Sequence, residues 1–336
     1  MHNQQWEKKL SKILRIMSLV MFAYSSAMLS TPAWAADPVK LRFSWKLKGE
    51  YGFFYLGKEK GLYQRNNVDL DLGEGAGAQA ALGALVQGNE DVVIVPAIFA
   101  ISAIQKGMPV KIAAIYQKRT PFAFISKLDH AVTKPSEIEG RSLAVSVGDT
   151  ATTYLGAFCK ANNVDCNKIQ QIQLDPQLKI PQFMQGRVDL ITIYTNVDLP
   201  LIEQRTGMKF AVLDLPNFGL SVPGLAAVVS DRGIAEKPDV LKRFLQATKE
   251  AIELTREDPA SATAALLQAW SAAPSQELVQ QQIVATSATL DTGSEKPIGW
   301  ISDDLINEAL DLISTNGEIG ERRPPSDFYT NELLEK

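Results

Sequence analysis

From Lys40 onward the chain alternates short apolar runs of strand character with helical stretches. Lys40 to Trp45, Val68 to Leu72 and Asp91 to Val95 read as strands. Between them lie an aromatic-rich helix, Tyr51 to Lys60, stopped by Gly61, and the small-residue segment EGAGAQAALGALVQG, Glu74 to Gly88. Strands separated by helices cannot pair through tight hairpins, so this pattern predicts an α/β sheet covered by helices. A helix from Ile98 to Gly107 and strands Val110 to Tyr116 and Phe122 to Lys127 continue it. A second strand-to-helix unit opens near Arg141 with Leu143 to Val147. It runs through strands Ile169 to Leu174 and Val188 to Tyr194 and helices Ile180 to Gly186 and Leu199 to Gly207.

The segment LPNFGLSVPG, Leu215 to Gly224, is too rich in proline and glycine for an element interior and reads as a crossover. A return strand, Leu225 to Ser230, comes after it. From Pro238 to Thr255 the positions Leu241, Phe244, Leu245, Thr248, Ile252 and Thr255 keep a helical period. The remainder reads as helices with short loops. The fold class expected is therefore α/β with two lobes and a hinge between them. The first lobe comprises residues 36–127 and 217–336, and the second, 128–216, is inserted in it.

The first 35 residues set Lys8, Lys9, Lys12 and Arg15 against the single acid Glu7. An apolar run from Ile16 to Leu29 and then Ala33-Trp34-Ala35 come next. This is the pattern of a secretory signal peptide cut between Ala35 and Ala36, which predicts a soluble periplasmic protein. The full chain carries a net charge of −4, and loss of that basic leader makes it more acidic. Nucleic acid is then not an expected partner, because there is no basic excess to displace counterions. Of two histidines only His130 lies beyond the leader, and it reads as a solvated surface residue, so no multi-histidine metal site is expected. Cys159 and Cys166 lie in CKANNVDC, in a chain bound for an oxidising compartment. Both a local disulfide and two separate thiols are compatible with that spacing.

Open α/β sheets bind ligands beyond the carboxyl ends of their strands. That rule selects Trp45 and Tyr51, Glu74 to Gly77, Ala97 to Phe99, Gly148 to Thr153, and Tyr194 to Asp198. Trp45, Tyr51, Tyr194 and Phe99 offer rings that can cover a flat solute, while Phe54 and Tyr55 read as core. Gly73 to Gly77 lacks the lysine and spacing of a phosphate loop, but Gly75 could let backbone amides reach a ligand. Asp149, Thr150 and Thr153 stand where a helix begins. Free amides there suit a carboxylate or sulfonate, whereas Asp149 can cap the helix or, facing the cleft, attract an amine. Asn196 is a further wall residue, and Phe218 in the crossover can close the site from the side. Lys46 and Lys48, beside Trp45, could hold an anionic group.

FSWKLKGEYGFFYLGKEKGLYQRNNVDLDL, Phe43 to Leu72, resembles the start of secreted solute-binding proteins of ABC importers. It is most similar to the thiamine-pyrimidine-precursor type, related to the taurine, alkanesulfonate and nitrate binders. The shared pattern is a Trp after the first strand, an acid-His pair, and Glu-Lys-Gly-aromatic-Tyr at the helix end. Here these are Trp45, Glu50 with Tyr51 in place of the His, and Glu59-Lys60-Gly61-Leu62-Tyr63; the family's Asn before the acid is Lys48. AAIYQKRTPFAFIS, KPSEIEGRSLAV and FYTNELL extend the resemblance along the chain. Tyr194-Thr195-Asn196 resembles the family's aromatic-x-Asn cleft wall, with Val197 and then Asp198 where the family has Glu.

The resemblance implies two lobes that close on a small planar or anionic organic solute and deliver it to an ABC permease, acting as a monomer without a cofactor. Two other readings stand beside it. One is a secreted sensor for a membrane signalling receptor. The other is an enzyme like the fungal pyrimidine synthase, which consumes its own histidine and binds pyridoxal phosphate through a lysine. The corresponding residues here are Phe99 and Val95, so catalysis is not expected.

Overall fold

The computed structural model describes residues 36–315 and 320–334. The leader reading, including its cleavage point after Ala35, rests on residues outside that range. The described residues from Asp37 onward form one compact unit.

The described residues contain ten strands: β1 (Asp37–Phe43), β2 (Val68–Gly73), β3 (Val92–Pro96), β4 (Val110–Ile115), β5 (Phe122–Lys127), β6 (Ser142–Val145), β7 (Gln170–Gln173), β8 (Ile191–Tyr194), β9 (Phe210–Asp214) and β10 (Leu225–Ser230). The first sheet has the order β2-β1-β3-β10-β4. β1 runs parallel to β2 and β3, and the return strand β10 is antiparallel to β3 and β4. Alternation along the central strands divides the core. Val92 and Ile94 of β3, with Ala227 and Val229 of β10, meet Phe53, Phe54 and the helix Pro238–Glu257. Val93 and Val95, with Ala226 and Val228, face the helices Ala78–Gln87, Ala97–Gln105 and Asp303–Thr315. Strands buried on both faces read as continuous apolar runs, as these do. Helix Pro238–Glu257 buries Leu241, Phe244, Leu245, Thr248, Ile252 and Thr255, the stripe that its period predicts.

The second lobe holds a three-stranded antiparallel sheet, β8-β5-β9, and a parallel pair, β6-β7. The pair is tied to the approach to β8, where the amide of Ala144 donates to the carbonyl of Leu190 at 3.0 Å. Two sequence expectations change here. Phe122–Lys127, read as the last strand of the first lobe, pairs with β8 and β9 and belongs to the second. Its neighbours in the sheet are 60 or more residues away in sequence, and pairing at that distance leaves no local trace. β9 is not among the expected strands, although Phe210-Ala211-Val212-Leu213 is an apolar run that suits a covered strand.

The chain passes between the lobes twice, and the crossings lie side by side. The amide of Thr120 donates to Val222 O at 2.8 Å and that of Gly224 to Gln117 O at 2.8 Å.

Cys159 and Cys166 are bridged, one of the two arrangements that their spacing allows. The bond clips the end of helix Leu155–Ala161 to the turn Cys166–Lys168. Closing a loop of about eight residues removes unfolded-state entropy worth about 2.5 kcal/mol. Reduction, or Cys159→Ala with Cys166→Ala, is therefore expected to lower the denaturation midpoint by that equivalent. An unchanged midpoint under reductant would show that the clip adds nothing.

Candidate functional site: a cleft between the lobes

A cleft of about 730 Å³ lies between the lobes, within the size range of small-molecule sites. Its walls are built from residues at and just beyond the strand ends. Ser44 and Trp45 follow β1, Phe99 follows β3, Gln117 and Thr120 follow β4, and Ser146 to Thr150 follow β6. Lys179 lies beyond β7, and Tyr194 and Asp198 lie at the end of β8. The floor is the double crossing, through Thr120, Gly224 and Leu225.

Trp45 is 40% exposed, large for an indole, and it faces this space together with half-buried Phe99 and Tyr194. Five charged side chains complete the lining: Lys48, Glu50, Asp149, Lys179 and Asp198. Lys48 Nζ stands 2.9 Å from Glu50 Oε1 and 4.8 Å from the centroid of the Tyr194 ring. Burial disfavours its charge, but Glu50 foremost, then the Tyr51 and Tyr194 hydroxyls and Asp198, hold its pKa above the ordinary lysine value. Asp149 caps the turn Thr150–Thr153 by accepting from the amide of Thr152 at 3.2 Å. Its Oδ2 also accepts from the Lys179 ammonium and the Thr192 hydroxyl. The Asp198 carboxylate accepts the amide of Tyr194 at 2.8 Å. Burial raises its pKa above the usual carboxylate range, even though Lys48 and Lys179 oppose that shift. Burial likewise pushes the Tyr194 hydroxyl up to about 12.

Of the residues selected from sequence, Trp45, Phe99, Asp149, Thr150 and Tyr194 come together on the cleft walls. Five others do not. Tyr51 is fully buried and stacks on Phe43, with ring centroids 4.0 Å apart, because the short turn Gly49–Tyr51 directs it back onto β1. Gly75 presses against the end of β1 behind the wall, its amide donating to Trp45 O at 3.2 Å. The Thr153 hydroxyl turns to Asp149 O within its own helical turn. Asn196 is buried and donates to Thr286 Oγ1 at 2.9 Å, joining the lobes through helix Gln276–Ser287. Phe218 packs on the core and its carbonyl accepts from Asn162. Lys46 is exposed and pairs with Glu74, away from the cleft. Sequence reasoning missed Lys179 and Thr192, although Lys179 lies beyond a strand end and the same rule would have reached it.

Among the described residues, no three histidine, cysteine or acidic side chains come together to hold a metal. Nor is any described helix long and apolar enough to cross a membrane.

The profile of a family described as NMT1/THI5 like matches residues 49–262. No curated protein matches the chain. Among solved structures it is similar to the periplasmic aliphatic sulphonate binding protein SsuA from Escherichia coli, at 17% identity and a TM-score of 0.70, covering 89% of this chain and 94% of that one. It is also similar to the alkanesulfonate-binding protein SsuA from Xanthomonas axonopodis pv. citri bound to MOPS, at 16% identity and 0.66, covering 90% and 99%. The periplasmic nitrate-binding protein NrtA from Synechocystis PCC 6803 matches at 13% and 0.66, covering 89% and 87%. Those likenesses are of fold, and they give this chain the two-lobe periplasmic-binding-protein fold expected from its sequence.

Proposed function

The chain belongs to the NMT1/THI5-like family, and on that basis we propose that it is the solute-capturing component of an ABC importer. It works in the periplasm as a monomer, closes on a small organic solute and presents the closed form to a membrane permease. The observation that carries this reading is the cleft itself, lined from both lobes by residues at strand ends and floored by the two crossings. A ligand touching both walls has more contacts when the lobes are closed, and that difference drives closure. The lobes divide at the crossings, 117–121 and 219–224, with β5 in the inserted one.

The reading carries no catalytic step. Where the resembling fungal enzyme places its histidine and lysine, this chain has Phe99 on the cleft wall and Val95, wholly buried in the sheet. Neither side chain can act as nucleophile, base or Schiff-base partner.

Native mass spectrometry of the protein purified from periplasm should show a bound small molecule that departs on denaturation. Calorimetry with that molecule is expected to show Trp45→Ala weakening binding at least about tenfold, roughly 1.4 kcal/mol, with the melting temperature unchanged. A protein that retains nothing and binds no periplasmic small-molecule extract would sink the receptor reading. Unaltered affinity in Trp45→Ala would remove the indole from the site.

A further inference from the structure

Resting on the receptor reading above, we infer that the solute is a flat organic cation, such as a ring bearing a protonated amine, held with its charge toward Asp198. Of the planar or anionic solute expected from sequence, this keeps the planar ring and reverses the sign of the charge. It rests on the charge inventory of the cleft, in which two ammonium groups face three carboxylates.

Both ammonium groups are already engaged. Lys179 is held by Asp149 and Thr192 on the second-lobe wall. Lys48 pairs with Glu50 at 2.9 Å, and among the described residues no ion pair joins either ammonium to Asp198. The one hydrogen-bond partner of the Asp198 carboxylate among the described residues is the backbone amide of Tyr194. A solute carrying a sulfonate or carboxylate would have to share one of these ammonium groups with an internal carboxylate and would sit beside an uncovered acid. A cation needs no such sharing.

The helix start that might have received an anion is filled by the chain itself. Asp149 caps it and occupies the field of its amides. The aromatic surfaces point the same way. One neighbour of the Tyr194 ring is already a cation, Lys48, while Trp45 and Phe99 also face the cleft, and aromatic faces attract organic cations. A separate observation marks the floor as a contact point. Thr120 lines the cleft, its residue is 1% exposed, and its buried hydroxyl has no hydrogen-bond partner among the described residues. A buried hydroxyl without a partner is rare and costly, and a polar ligand atom on the floor would satisfy it.

The test uses the mature protein unfolded and refolded to strip any solute. It is then titrated by calorimetry with matched sets of one- and two-ring compounds. Each set offers the same ring with an ammonium, an uncharged amide and a sulfonate; 3-(aminomethyl)pyridine, nicotinamide and pyridine-3-sulfonate form one set. The cationic member of the best-binding set is expected to bind at least about tenfold more tightly than its sulfonate counterpart. In Asp198→Asn, which keeps an oxygen for the Tyr194 amide, that gap should close while the melting temperature holds. A sulfonate that binds as well as or better than the ammonium overturns the cation assignment and leaves the receptor reading standing. A gap unchanged in Asp198→Asn overturns Asp198 as the recognising group. No binding in any set overturns the cation assignment, while the receptor reading falls only if the protein also retains nothing and binds no periplasmic extract.

Discussion

Gly75→Ala is expected to destabilise the protein by about 3 kcal/mol, the upper end of what overpacking costs. A Cβ at Gly75 would stand 1.9 Å from Phe43 O, 2.9 Å from the carbonyl carbon of Ser44 and 3.0 Å from that of Phe43. All three are backbone atoms and cannot rotate aside as a side chain would. The backbone they belong to is also pinned. Ser44 donates its amide to Ile94 O, Phe43 stacks on Tyr51, and the loop is strapped back by Gly77 N to Ser44 O at 2.7 Å. Relief must come from pulling the loop off the end of β1, which carries Trp45 with it. Gly83, in helix Ala78–Gln87, is the internal control: a methyl added there would enter open space, and Gly83→Ala should raise stability by about 1 kcal/mol through helix propensity alone. Urea titrations with unchanged slope measure both. Equal midpoints for the two variants would mean that the strap is loose.

The second large effect is expected at the pair between Lys179 and Asp149, whose side chains are 11% and 13% exposed. Lys179→Met leaves a nearly buried carboxylate with only hydroxyl and amide donors, and breaking such a pair from one side costs about 3–5 kcal/mol. Adding Asp149→Asn removes the orphaned charge while keeping an oxygen to cap Thr152, so the double variant should recover most of the loss. The single variant also leaves the cleft with one cation against three acids. If the solute is cationic, Lys179→Met should retain it more tightly although the fold is weaker. A single variant as stable as the parent would show that water screens this pair as it does a surface one.

Much of the scaffold is legible because it is written in local patterns. The stripe Leu241, Phe244, Leu245, Thr248 and Ile252 fixes one helix face without reference to anything distant. The strand-end rule likewise reaches Trp45, Phe99, Asp149 and Tyr194 before any partner is known. The features that escape it are decided across the chain. β5 reads as part of the wrong sheet because its partners lie at Ile191–Tyr194 and Phe210–Asp214. Tyr51 is expected to face the ligand because it lies just past a strand, but the turn from Gly49 points its ring onto Phe43. The charge balance of the cleft is the least visible feature. Lys179 neutralises an acid 30 residues earlier, and Lys48 meets the Tyr194 ring only through the meeting of two lobes. Residue types at strand ends therefore mark the walls, while the sign of the ligand depends on the pairing.

The two crossings have a mechanical meaning. Tied at Thr120–Val222 and Gly224–Gln117, they act as a single axle. Gln117 extends that axle by bonding to Thr289 at 2.7 Å, so the first lobe grips it firmly. Thr120, Gly224 and Leu225 of this axle are also the bottom of the cleft. A twist of one lobe about this axle would therefore be felt at the atoms that form the bottom of the cleft. On the receptor reading, leverage at a distance and grip on the cargo become one quantity, and a partner that twisted the lobes apart would loosen the load without ever touching it.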